Sequence, residues 1–141
     1  MNKITDTLFY GDLTAGHAKG TEHYAIVHAC KDPCHKLCVG YQNKLPDTHP
    51  HYLSAERGNH LYLNMVDPPV PLFKLTSFQI FFEFVDRHIT ERSVLIHCNQ
   101  GLSRAPSLTL LYMAKRLNLL PNTNYKDARL EFEKKYPYQP A

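Results

Sequence analysis

No stretch of the sequence approaches the ~18 consecutive apolar residues that a membrane span needs, and Met1-Asn2-Lys3-Ile4-Thr5-Asp6 lacks the apolar core of a secretory leader. A soluble, cytoplasmic protein is therefore expected. Internal repeats, low-complexity tracts and Gly/Ser linkers are also missing, which excludes solenoids and loosely tethered modules. Cysteine is scarce: Cys30, Cys34, Cys38 and Cys98 are too few for a disulfide scaffold, and a reducing compartment leaves them as thiols. The charge excess is small as well. A net +3 falls short of the footprint of a nucleic-acid binder, so no nucleic acid is expected as partner and any preference for anions must come from a local site.

What remains is an ordinary globular composition. With 141 residues, 43% hydrophobic and 21% charged, the chain suits one domain over residues 1–141, able to bury roughly two-thirds of its unfolded surface. Strands are expected at 7–10, 24–29 and 60–66, the last running into Asp67-Pro68-Pro69, and at 93–98, a short apolar run suited to a parallel strand covered on both faces. Between 32 and 59 the chain is polar and rich in His and Pro, and reads as loop with at most one short strand. Leu75, Phe78, Phe81, Phe82, Val85 and Ile89 recur at three and four and predict a helix over 74–90. Leu108, Leu111, Tyr112 and Leu117 predict a second helix, with Pro106 confined to its first turn, and Ala128, Leu130 and Phe132 a third over 125–135. Strands alternating with helices indicate an α/β fold, a central mixed and mostly parallel sheet flanked by helices.

The chemistry concentrates at residues 97–104. A loop between a buried strand and a helix N-terminus aims backbone N–H groups at one point and adds the positive end of the helix dipole, which suits a tetrahedral oxyanion. A cysteine at the start of such a loop is favoured as a thiolate nucleophile, and Cys98 stands there. Six residues on, the planar guanidinium of Arg104 suits two phosphate oxygens at once, which a lysine does less well. Gly101 permits positive φ and a close approach of the backbone to a ligand. Taken alone Cys98 reads as a buried strand thiol; Gly101 and Arg104 beside it turn the reading towards chemistry.

His97-Cys98-Asn99-Gln100-Gly101-Leu102-Ser103-Arg104 resembles the signature loop of the protein tyrosine phosphatase superfamily, and the position of Cys98 in the C-terminal half is similar to that in the small, atypical dual-specificity phosphatases. Low-molecular-weight phosphatases and arsenate reductases carry their Cys-x5-Arg near the N-terminus and fit less well. The resemblance implies a phosphomonoesterase acting on phosphotyrosine, and on phosphoserine and phosphothreonine, in phosphorylated protein substrates. It implies a cysteinyl-phosphate on Cys98 and no metal or organic cofactor. It gives Asn99, Gln100, Gly101, Leu102, Ser103 and Arg104 to the phosphate, with the first, second and fourth contributing mainly backbone N–H groups. His97 takes a supporting role, against the plainer reading of a strand histidine. Asp67 is the candidate acid, against a loop cap and against Asp86 on a helix face. A monomer is expected.

Other members of that superfamily dephosphorylate phosphoinositides or RNA 5′ ends, and inactive ones bind phosphate without turnover. Ala105 departs from the family pattern, which has Ser or Thr after the arginine to stabilise the departing thiolate. Ser107 is the nearest substitute. Cys30, Cys34 and Cys38, with His28 nearby, match no strong zinc spacing and are expected to hold no metal. Some relatives link a cysteine at the position of Cys30 to the nucleophile on oxidation, and the remaining histidines read as solvated loop residues.

Overall fold

The computed structural model describes residues 1–66 and 74–139. Six strands, β1 (Asn2–Lys3), β2 (Leu8–Gly11), β3 (Ala25–Ala29), β4 (Ser54–Arg57), β5 (His60–Leu63) and β6 (Val94–His97), form one sheet in the order β1-β2-β6-β3-β5-β4. The four central strands run parallel; β1 and β4 pair antiparallel at the two edges. The helices are α1 (Leu13–Gly16), α2 (Lys36–Val39), α3 (Leu75–His88), α4 (Arg104–Lys115) and α5 (Tyr125–Glu133). The expected α/β class and mostly parallel sheet are what the chain forms.

Strand periodicity divides the sheet into two unequal faces. Leu8, Tyr10, Val27, Ala29, Leu61, Leu63, Val94 and Ile96 join Phe81, Phe84 and Val85 of α3, Leu108 and Tyr112 of α4, and Phe132 of α5 in the main core. The alternate residues of the same strands, including His28, Tyr62 and His97, face the other side. There α1 packs near β6 and a wide helical turn at Lys31–His35 leads into α2. β3 and β6 are buried along their whole length, which is why their sequences read as continuous apolar runs.

Between 32 and 59 the chain is mostly loop with one short strand, β4, as expected, and adds the Lys31–His35 turn and α2. One expectation needs correction. Leu75 and Leu130, assigned to apolar helix faces, are 72% and 51% exposed, because their helices turn those positions away from the sheet. β1 and α1 were too short to carry a periodic signal; α1 is held by its cap, Asp12 accepting the Ala15 N–H at 2.9 Å.

Candidate active site

β6 ends at His97, and the next peptide fixes Cys98 at the base of a loop that closes on the first turn of α4. The Cys98 N–H donates to Gly11 O at 3.3 Å, tying the loop to the end of β2. Cys98 Sγ in turn accepts the N–H of Ala105 at 3.4 Å. The sulfur thus sits on an amide of the first turn of a twelve-residue helix, where the positive end of the dipole favours negative charge.

Gly101 adopts φ +72°, and a Cβ there would lie 2.9 Å from Gly11 C and 3.0 Å from Asp12 N. Loop and β2 are therefore in backbone contact, a fit only glycine allows. Gly101→Ala is expected to lower the unfolding free energy by about 2–4 kcal/mol in urea titration, from backbone strain plus overlap. Gly40→Ala is the control: its φ is also positive but open space surrounds it, so it should lose only about 1 kcal/mol.

Arg104 is 7% exposed. Its Nη1 donates to Ala29 O at 3.0 Å and Met65 O at 2.8 Å, and its Nη2 to Asn99 Oδ1 at 2.7 Å. The guanidinium is thereby oriented by the ends of two strands and by the loop itself. Asn99 was expected to contribute mainly its backbone; its side chain instead bridges Arg104 and Asp32 O, the latter at 2.8 Å through Nδ2. Gln100 is exposed, Leu102 half-buried with its carbonyl accepting the Gln139 N–H at 2.6 Å, and Ser103 precedes α4 with its carbonyl accepting the Ser107 N–H at 2.9 Å. Ser107 does not stand in for the hydroxyl absent at Ala105: its Oγ is bonded to Tyr138 Oη at 2.7 Å.

Asp67 lies outside the described residues. Asp86, its competitor in the sequence, is committed elsewhere, accepting from Tyr112 Oη at 2.8 Å and Arg116 Nε at 3.1 Å.

Behind the loop lies a feature that the sequence reading missed. His97 Nδ1 bonds Cys98 O at 3.3 Å, His97 Nε2 faces His28 Nδ1 at 2.5 Å, and His28 Nε2 faces His60 Nδ1 at 2.9 Å. One tautomer set satisfies the whole row, each ring donating from Nδ1 to the next acceptor. Burial pushes His28 down to about 2, with His97, His60 and His17 adding to it; burial likewise pushes His97 down to about 4 against the opposing bond to Cys98 O. Both rings are depressed below the ordinary 6.5, so their contribution to stability is complete above that pH and drains away as pH falls toward the folded-state values. At pH 5 the loss for His97 alone amounts to about 2 kcal/mol. Urea titrations at pH 7 and pH 5 should show it; equal midpoints would mean the rings charge freely.

Cys30, just past β3, partners Cys34 rather than standing alone. The Cys34 thiol hydrogen bond, helped by Arg104 and Asn99, outweighs burial and holds Cys30 down to about 6, while the same bond and burial push Cys34 up. When protonated, Cys30 donates to Asp32 O at 3.0 Å.

No family model matches the chain. It is similar to a probable dual specificity protein phosphatase of Dictyostelium discoideum, 23% identical over 120 residues that make up 84% of this chain and 26% of that protein. The chain thus spans about a quarter of that relative's length. Two solved structures share its fold. The crystal structure of Cydia pomonella PTP-2 phosphatase superposes with a TM-score of 0.64 at 21% identity, covering 99% of this chain and 82% of that one. The human tyrosine phosphatase-like serine/threonine/tyrosine-interacting protein superposes with a TM-score of 0.66 at 18% identity, covering 100% and 87%. The expected fold is thus that of these two structures, and the sequence is similar to a protein described as a probable dual specificity phosphatase, as the resemblance at residues 97–104 implied.

Proposed function

We propose that this chain is a cysteine-dependent phosphomonoesterase that removes phosphate from phosphotyrosine, and from phosphoserine and phosphothreonine, in proteins. The observation that carries the reading is the Cys98 sulfur resting on the Ala105 N–H at the N-terminus of α4, with Arg104 on the same loop. In the first step the Cys98 thiolate attacks phosphorus, the P–O bond to the leaving group breaks, and the Asp67 carboxylic acid gives that oxygen its proton. The amides of residues 99–103 and the Arg104 guanidinium hold the remaining phosphate oxygens through the transition state. In the second step the Asp67 carboxylate takes a proton from water, the water oxygen attacks phosphorus, and Cys98 leaves as thiolate. His97 positions the loop through Cys98 O.

Hydrolysis of p-nitrophenyl phosphate without added metal tests this reading. Because residue 105 is alanine, the departing thiolate lacks one charge-assisted hydrogen bond, worth about 1.5–3 kcal/mol. The second step should therefore be slow, with a burst of nitrophenol before the steady rate. Ala105→Ser should raise the steady rate about tenfold or more and shrink the burst. A linear time course in the wild-type protein would contradict the slow second step.

Ala105 also favours a second reading, a phosphate-binding module without turnover. Phosphopeptide binding with no hydrolysis would select it. A phosphoinositide or RNA 5′ substrate is less well supported, since Asn99, Gln100 and Leu102 add no charge to the loop. No helix among the described residues is long and apolar enough to cross a membrane.

A further inference from the structure

Four side chains with metal-ligand chemistry converge on the smaller face of the sheet. One donor atom each from His17, His28, Cys34 and His97 lies within 4.8 Å of the others. They come from four separate stretches: the residue closing α1, the middle of β3, the wide turn after β3, and the end of β6. The parallel register places His28 directly beside His97. Tetrahedral Zn–N and Zn–S bonds of about 2.0–2.3 Å require donors about 3.3–3.8 Å apart, so the wider separations, up to 4.8 Å, close by about an ångström while the His28–His97 pair, at 2.5 Å, opens by slightly less.

The outer nitrogens supply an independent argument. A histidine bound to metal through one nitrogen donates the other N–H to an acceptor, which fixes the ring. His97 Nδ1 already bonds Cys98 O, leaving Nε2 inward; His28 Nε2 already meets His60 Nδ1, leaving Nδ1 inward. The two inward nitrogens confront each other at 2.5 Å, where one proton now sits between two lone pairs. His28, His97 and Cys34 are 2%, 0% and 4% exposed, whereas His17 is exposed. A cavity of about 240 Å³ bordered by His17, Cys34, Cys38 and Tyr62 gives an ion a way in.

We propose that His17, His28, Cys34 and His97 form a tetrahedral three-histidine, one-cysteine site for a zinc ion, which braces the loop at Cys98 from behind. Imidazole and thiolate together suit this borderline ion better than calcium or magnesium, which take oxygen ligands. On binding, His28 shifts its proton from Nδ1 to Nε2, which then donates to His60 Nδ1, and His60 moves its own proton from Nδ1 to Nε2. The Cys34 thiol gives up its proton to solvent as its sulfur takes the ion. Cys34 and His28, expected from the sequence to hold no metal, are ligands here while Cys30 and Cys38 are not, and no step at Cys98 is needed for the ion to bind, so the site stands or falls independently of turnover.

The test uses the whole chain carrying Cys98→Ser, which removes the loop cysteine as a rival ligand. After chelation and dialysis the protein is titrated with Co²⁺ and then Zn²⁺ alone. The expected result is one equivalent of Co²⁺ with intense tetrahedral d–d bands and a thiolate-to-cobalt charge-transfer band, all erased by one equivalent of Zn²⁺. His17→Ala, at an exposed position that leaves the core intact, should weaken Zn²⁺ binding by about 100-fold or more. Cys34→Ser should abolish the charge-transfer band. Weak, octahedral Co²⁺ spectra, or binding unchanged in His17→Ala, would overturn the proposal.

Discussion

Cys98→Ser should abolish hydrolysis of a phosphate monoester, a loss of about 10⁴-fold or more, while leaving the fold intact. Cys98 is 1% exposed and its backbone N–H is tied to Gly11 O, so its position does not depend on the sulfur. Serine is close in size and still able to accept the Ala105 N–H. What it lacks is the nucleophile: sulfur is far more nucleophilic than a serine hydroxyl that has no base beside it. The variant should therefore retain inorganic phosphate binding and a near-native urea midpoint. Were Cys98 only a packed strand thiol, turnover would survive the exchange.

Arg104→Lys should damage both activity and stability. A guanidinium presents coplanar donors; an ammonium is a point charge with three donors on a flexible stem. Losing the planar grip on a transferring phosphoryl group is expected to lower kcat/KM by about 10²–10³-fold. The structure adds a second readout. Ala29 O, Met65 O and Asn99 Oδ1 all accept from this side chain, and lysine cannot reach all three from one nitrogen. Buried acceptors left without partners cost about 1–3 kcal/mol each, so the urea midpoint should fall as well. A stability loss with kcat/KM unchanged would reduce Arg104 to a structural brace.

Where local periodicity or a contiguous motif carried the information, the sequence was readable. The phenylalanines of α3 repeat at helical spacing because one stripe meets the sheet, and β6 reads as an apolar run because both its faces are covered. Cys98, Gly101 and Arg104 share one short loop, so their association needed no tertiary knowledge. The histidine row is different: His97, His28 and His60 meet only because β6, β3 and β5 are neighbours, an order that no local pattern encodes. His28 was consequently placed in a strand and near the cysteines but given no partner, although it is 2% exposed and bonded to both other rings. The turn at Lys31–His35 hid behind Pro33 and its polar neighbours, and with it the meeting of Cys30 and Cys34. Asn99 looked like a supplier of backbone amides, since the bridge from Arg104 to Asp32 O depends on how the turn after β3 folds over the loop.

The central claim is a covalent phosphate on one sulfur, and the slow second step expected from Ala105 should let that species accumulate. The most direct measurement is acid quench of the wild-type protein during steady turnover of p-nitrophenyl phosphate, followed by intact-mass and peptide mass spectrometry. The account predicts a single added phosphoryl group on the peptide containing Cys98, absent from Cys98→Ser. Turnover accompanied by a phosphoryl group on another residue would contradict it.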